Sequence, residues 1–333
     1  MYIFEAPLKV KSGSKVCLVA FFGQALDGEV DYSYALEVEF NKYRKKPEEV
    51  FLIFPGYLER KVELYFENKS KFYNNAIRYG VDVPVTVAYF DERANLFFRS
   101  LHLDSSFRGY ENAARDEIVR SGLYNLASER KDQVILKSPS GTVFIKPSKK
   151  EFSEFIKSSE LAVGASENQF VAFCLLSRSP KNLVVKKIYI DTNSIAAYVE
   201  ALIFYMSMFR DGVCRVATYY SYSSYDGMND ARPDIVDDVW LIISASRSNS
   251  MGVQMAKTWG LDDDQVLTIL SYTDSRADRI GDSVLLNISS LSDLAPKAPQ
   301  KGSLIKVKVV GENFYAEAEK PHPVTIKAAH KPA

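Results

Sequence analysis

Two short segments concentrate side chains that can grip an anion. The sharper one is Ser244-Ala245-Ser246-Arg247-Ser248-Asn249-Ser250-Met251-Gly252, which runs from the apolar stretch VWLII into the helical stretch VQMAKTWG. Four serines, an asparagine, an arginine and a glycine share these nine residues. A loop of this kind at a helix start offers hydroxyls and free backbone N–H groups to a negative charge, and the helix dipole favours it. Arg247 can add charge-assisted hydrogen bonds to a phosphate. Capping alone needs one serine or asparagine. The second segment, Asp191-Thr192-Asn193-Ser194, joins KKIYI to IAAYVEAL. Its carboxylate is either a cap for the following helix or a ligand contact. Lys146, with Lys149, Lys150 and Lys157 in KPSKKEFSEFIK, is either a phosphate neighbour or part of a solvated lysine-rich hairpin. The run TYYSYSSYDGM is read equally as a stacking surface for a base or ribose and as a strand end with a loop.

Other chemistries find little support. The cysteines, Cys17, Cys174 and Cys214, are far apart in apolar settings, which indicates buried thiols in a reducing compartment. The histidines, His102, His322 and His330, form no zinc spacing, and neither an HExxH helix nor an EF-hand loop is present. The 333 residues suggest more than one domain. With 47% hydrophobic and 25% charged residues the chain is not disordered as a whole. Lys plus Arg and Asp plus Glu are both 42, so general nucleic-acid binding is not expected. No apolar run is long enough to span a bilayer, and MYIFEAPLKVKSG does not read as a secretory signal. The expectation is a cytoplasmic protein without membrane contact.

The elements that must position the two loops follow from the apolar patterning. The first hundred residues read as β-rich: LKVKSGSKVCLVAFFG, YALEVEF, EVFLIF, RKVELYF, VPVTVAYF and NLFFRSLHL are strand-like runs separated by turn residues. Residues 66–80 suggest a helix closed by Gly80, and 109–129 a helix interrupted at Gly122. VILKS and TVFIKPS suggest a hairpin around Pro139-Ser140-Gly141, and KEFSEFIKSSELA a helix with Phe152, Phe155 and Ile156 at helical spacing. From about 170, FVAFCLLSR, NSIAAYVEALIFYMSMFR and MGVQMAKTWG alternate with KKIYI, CRVATYYSY, DDVWLIISAS, QVLTILSY and DSVLLNISSL. That alternation, with uniformly apolar strands, implies a parallel α/β sheet covered on both faces. After the linker-like APKAPQKGS, LIKVKVVGENFYAEA reads as a hairpin turning at Gly311-Glu312-Asn313, followed by a tail. Ligands of such sheets bind where strands end at the carboxyl edge, which selects the 191–194 and 244–252 loops.

With those loops placed, residues 137–290 resemble a type I phosphoribosyltransferase. SGTVFIKPSKK stands where that family has its opening segment, IYIDTNSIAA where it has its pyrophosphate loop, and VWLIISASRSNSMG where it grips the ribose 5-phosphate. The wording is especially similar to divergent phosphoribosyltransferase-like proteins of bacterial conflict and antiviral gene clusters. Active members carry two adjacent acids followed by Thr-Gly; here those positions are Ser244 and Ala245, and Asn249-Ser250. The resemblance therefore implies a parallel-sheet phosphoribosyltransferase-like domain, Rossmann-like, over 131–295. It would be preceded by a β-rich α+β region over 1–130 and followed by a C-terminal β hairpin and tail over 296–333. It implies a phosphate site of Ser244, Ser246, Arg247, Ser248, Asn249, Ser250 and Gly252, with ligand contacts from Thr192, Asn193, Ser194 and Lys146. Asp191 would be the catalytic group, or the contact for ribose or metal. The cofactor stays open, Mg²⁺ being the ion the family would bring. The implied function is phosphoribosyl or nucleotide recognition in bacterial antiviral defence, as a sensor or a divergent enzyme lacking the usual acidic pair. A rival resemblance is to phosphosugar isomerase-type domains, which hold a sugar phosphate with strand–Ser-x-Ser–loop–helix. Ser244-Ala245-Ser246 fits that spacing, Arg247 replaces the expected glycine, and no Glu/His pair for proton shuttling is legible. A third reading is a non-catalytic scaffold whose aromatic-rich N-terminal region contacts a protein partner.

Overall fold

The computed structural model describes residues 1–11, 13–23, 38, 42, 47–67, 84–98, 107, 109–145, 151–181, 184–210, 217–222, 232–233, 236–273, 284–291, 305–310 and 312–316. The protein is α/β, built on two five-stranded sheets and two smaller ones.

The first sheet has the order β1-β2-β3-β4-β5, with β1 Tyr2–Val10, β2 Gly13–Phe21, β3 Glu49–Pro55, β4 Val85–Phe90 and β5 Leu96–Phe98. β1 alternates strictly: Phe4, Ala6 and Leu8 are buried while Glu5, Pro7 and Lys9 face water. Pro7 is tolerated because β1 is an edge strand. β3 is buried along its whole length, as a strand covered on both faces must be. β2, β3 and β4 run parallel, and antiparallel β1 and β5 close the two edges. Helix α1, Glu59–Glu67, and the turn before it cover one face through Val62 and Leu58, which pack with Leu52 and Phe54. The run at 60–66 was expected as a strand. It is helical: Val62 packs inward one turn after Leu58, while Leu64, which a strand would bury on the same face as Val62, is exposed. The proposed helix over 66–80 lies outside the described residues beyond Glu67, and YALEVEF almost wholly so.

Helix α2, Glu111–Glu129, is continuous through Gly122, where an interruption was expected. The glycine is there for close approach. A Cβ at Gly122 would lie 2.3 Å from Phe170 Cζ and 2.8 Å from Phe4 Cζ, and Tyr2 Oη donates to the Gly122 carbonyl at 2.8 Å. A one-turn helix, α3, Lys131–Val134, follows.

The next segment corrects two expectations. The turn at Pro139 to Thr142 forms, with Gly141 at φ 78° and Thr142 N donating to Pro139 O at 3.0 Å. Its two arms nevertheless diverge into different sheets. β6, Ile135–Lys137, pairs with β9, Glu154–Ile156, while β7, Thr142–Ile145, pairs with β8, Glu151–Phe152. Residues 151–156 are thus two short strands, not a helix. Phe144, Phe152, Phe155 and Phe314 form one aromatic cluster, with Phe144 and Phe314 centroids 5.4 Å apart. These long-range contacts outweigh the local helical spacing.

Helix α4, Ala165–Leu176, is buried without a break from Gln169 to Leu176, as a helix covered all round must be. Phe170 packs on Phe4 and Phe21, and Phe173 on Phe21 and Phe90. One cluster of buried side chains continues from these to Ile188, Trp240 and Ile242.

The second sheet is all-parallel: β10 Lys187–Ile190, β11 Thr218–Ser221, β12 Val239–Ser246, β13 Val266–Ser271 and β14 Val284–Asn287. Helix α5, Ala196–Met208, buries Tyr198, Val199, Leu202 and Tyr205 in the same cluster as Ile188 and Ile242. Helix α6, Ser250–Trp259, covers the other face through Met255 and Trp259. It stops at Gly260, whose φ of 73° suits glycine. The spatial order is β11-β10-β12-β13-β14. Counted within this sheet the order is 2-1-3-4-5, a doubly wound arrangement whose direction reverses between β10 and β12. The chain ends its described course in β15, Ile305–Val310, and β16, Asn313–Ala316, an antiparallel hairpin as expected. β15 also joins β7 in parallel, making the four-stranded sheet β16-β15-β7-β8.

Candidate functional site

The order reversal determines where a ligand can enter. Connections leave β10 and β12 in opposite directions, and in doubly wound sheets the ligand crevice lies between the carboxyl ends at such a point. β10 stops pairing with β12 at Ile190↔Ile242, and Asp191 continues the ladder with its side chain. Its Oδ1 accepts from Ser244 N at 2.8 Å and its Oδ2 from Ser244 Oγ at 2.8 Å. The strand end thereby gives the Ser244 N–H the partner that β10 no longer supplies. Both residues are buried. Burial pushes the Asp191 carboxyl up to about 7; the two Ser244 donors pull against this and the charge of Glu312 adds to it.

The rest of the first loop serves the start of α5. Thr192 is buried and accepts from Ser194 N at 3.3 Å, and Asn193 is exposed. Ser194 Oγ is enclosed with no hydrogen-bond partner among the described residues. So is Ser221 Oγ, at the end of β11 opposite Ile190. Two orphan hydroxyls therefore lie at strand and helix ends around Asp191.

The second loop divides by burial. Ser244, Ser246, Asn249 and Gly252 face inward. Asn249 adopts the left-handed conformation, φ 51°, that asparagine tolerates, and its Oδ1 accepts from Thr268 Oγ1 at 2.6 Å. Gly252 lets the helix close on this turn: a Cβ there would stand 3.1 Å from Asn249 Oδ1. Arg247, Ser248 and Ser250 are exposed. Ser248 Oγ donates to Ser250 Oγ at 3.1 Å, and the Arg247 guanidinium stands 5.9 Å from the centre of the Tyr272 ring. The turn therefore spends Asn249 and Gly252 on its own geometry. It presents Arg247, two hydroxyls and the first N–H groups of α6 to solvent.

A wall beside the crevice was not legible in the sequence. The turn Ser158–Glu160 packs against the Asn193–Ile195 turn and against β12. It is held from three sides. Tyr198 Oη, on α5, donates to Ser158 O at 2.8 Å and accepts from Ala162 N at 3.1 Å. Arg130, after α2, donates to Leu161 O at 3.0 Å and to Glu167 at 2.7 Å. Glu312, at the tip of the β15–β16 hairpin, accepts from Ser158 N at 2.7 Å, from Ser159 N at 3.1 Å and from Ser158 Oγ. An acid in a Gly-Glu-Asn turn normally faces water, so nothing local marks Glu312 as buried.

Several proposed contacts lie elsewhere. Lys146, Lys149 and Lys150, residues 223–228 of the tyrosine-rich run, Cys214 and the three histidines lie outside the described residues. Lys157 is paired with Glu160 at 2.6 Å. Cys17 and Cys174 are buried, and burial raises both thiols, Cys17 to about 12. These are not nucleophiles. A surface groove lined by Gly252, Val253, Ala256, Lys257, Gly260, Leu261, Asp263 and Val266 runs beside α6 and the start of β13, away from the strand carboxyl ends, with Lys257 and Asp263 as its charged groups. The crevice is the better candidate.

The residues present do not fit a magnesium clamp. No group of three or more metal-ligating side chains occurs among the described residues. Nor is any helix among them long and apolar enough to cross a membrane. No family model matches the chain, and no curated protein or solved structure matches it.

Proposed function

We propose that the crevice between β10 and β12 binds the phosphate of a phosphoribosyl compound or nucleotide. On this reading the chain acts as a sensor and not as a transferase, in the antiviral setting its resemblance implies. The carrying observation is the division of the 244–252 loop. Its buried half is held by Asp191 and Thr268, while Arg247, Ser248, Ser250 and the start of α6 stay open at the order reversal. A fixed turn with free donors is pre-organised for an anion. The absence of an acidic pair at Ser244 and Ala245 speaks against transfer from a metal-chelated diphosphate.

The test is thermal unfolding against ribose 5-phosphate, nucleotides, phosphoribosyl pyrophosphate with and without Mg²⁺, glucosamine 6-phosphate and fructose 6-phosphate. A native-state ligand raises the melting temperature by mass action. The proposal expects a rise with ribosyl phosphates that Arg247→Glu removes, and unchanged ligand on recovery. A panel without any rise would end it.

One observation favours the isomerase-type reading. A carboxyl held near 7 is suited to moving a proton at neutral pH, which supplies the shuttle that reading lacked. It expects interconversion of aldose and ketose phosphates that Asp191→Asn abolishes while the fold persists.

A further inference from the structure

We propose that Glu312 is a specificity-determining residue of this crevice: its buried carboxylate makes the inner end receptive to neutral hydroxyls and closes it to a second phosphate. The inference rests on the phosphate-binding reading above and names the ligand class more narrowly: a sugar or nucleoside monophosphate.

Glu312 is 8% exposed although it occupies a hairpin turn. Its charge stays inside because two backbone N–H groups and a hydroxyl satisfy it, all from Ser158 and Ser159. Those donors belong to the turn that packs on Asn193–Ile195 and on β12, which places the carboxylate on the side of the crevice where Asp191 sits. Arg247 and the start of α6 lie at the outer end. The crevice is thus polarised, with a cation and N–H donors outside and two carboxylates inside. The hydroxyls of Ser194 and Ser221, without hydrogen-bond partners among the described residues, accompany the inner pair. Hydroxyls of a ligand can donate to carboxylates and pair with serines. A second phosphate there would meet like charge in a water-poor setting, where repulsion is strong. No described cluster of ligating side chains is present to recruit a neutralising cation.

The sheet pairing explains why a C-terminal residue can reach the site. β15 adds to β7, and Phe314 packs with Phe144 and Phe155, so the hairpin tip is fixed over the turn.

The experiment is calorimetric titration of the full chain with ribose 5-phosphate and, separately, phosphoribosyl pyrophosphate, both in EDTA. The wild type should bind ribose 5-phosphate about tenfold or more tightly than the pyrophosphate. Glu312→Gln should narrow that gap several-fold by improving the pyrophosphate, and Glu312→Asp, which keeps the charge, should preserve it. A residue that merely anchors the hairpin would shift both ligands alike, or only the melting temperature. Equal affinities in the wild type, or an unchanged ratio in Glu312→Gln, overturn the inference while leaving phosphate binding intact. Failure of both ligands to bind the wild type overturns the phosphate-binding reading and the inference with it. If the glutamine variant does not fold, Asp191→Asn titrated at pH 8, where the Asp191 carboxyl is charged, removes the neighbouring charge and must narrow the same gap.

Discussion

The two five-stranded sheets are built from similar parts and come to different ends. In the first, β2, β3 and β4 run parallel and lie side by side in chain order. The direction never reverses, and packing claims the described strand ends. A Cβ at Gly23 would fall 2.3 Å from Gln169 Oε1, and Tyr205 Oη donates to the Gly23 carbonyl at 3.2 Å. The buried acid of that sheet, Glu49, sits at the opposite end of its strand, paired with Lys15 at 3.1 Å and hydrogen-bonded by Thr86. In the second sheet the order reverses, and the buried acid lies at the carboxyl end. Asp191 has two hydrogen-bond donors and no cation partner among the described residues. A parallel sheet alone does not make a site. The reversal of strand order is what makes the second sheet the candidate, because in such sheets neighbouring connections leave the edge open.

This contrast can be broken experimentally, beginning where the effect is greatest. Gly122→Val drives a branched side chain into Phe170 and Phe4. It should cost about 3 kcal/mol or more in urea unfolding, and a neutral result would refute the packing of the first sheet against α2 and α4. Lys15→Met removes the Lys15 ammonium from the buried Glu49 carboxylate and should destabilise by roughly 2 kcal/mol at neutral pH.

At Asp191 the sign reverses. Its carboxyl titrates near 7 in the folded chain and near 4 when unfolded. The folded protein therefore holds a proton that the unfolded chain releases. That contribution is complete below about pH 4 and is lost as pH rises to about 7. Asp191→Asn should remove this slope, stabilising the protein at pH 8 and doing nothing near pH 4, as read by denaturation at the two pH values. A loss of stability at pH 8 would show that the charged form is the one the fold favours. The smallest expected effect is at Asn249. Replacement by alanine forfeits the bond from Thr268 and strains a left-handed turn, for about 1 kcal/mol. Glycine should recover part of it.

How much of this was legible varies with the range of the interactions concerned. The second sheet could be read because β10, β12, β13 and β14 are short apolar runs and α6 has a stop at Gly260. The strand–loop–helix positions of Asp191 and of Ser244 to Gly252 followed directly. Residues 151–156 could not be read, since Phe152 and Phe155 fit a helix and a pair of strands equally well. Contacts with Phe144 and Phe314, the latter more than 150 residues away, decide between them. The arginine and exposed serines of the loop were visible as an anion grip. That Asn249 would turn inward to Thr268 was not, because only the folded sheet brings β13 beside that turn.

By itself the sequence determined the class of the protein, the β-rich start, the alternation of strand and helix after residue 170, and the two polar loops. Each depends on neighbours within a few residues, where periodicity and turn chemistry act. Tertiary structure alone decided the order 2-1-3-4-5, the reversal between β10 and β12, the capture of Asp191 by Ser244, and the arrival of Glu312 at Ser158. Those outcomes join residues tens to hundreds of positions apart. They are set by which faces and donors remain unsatisfied once the local elements have formed.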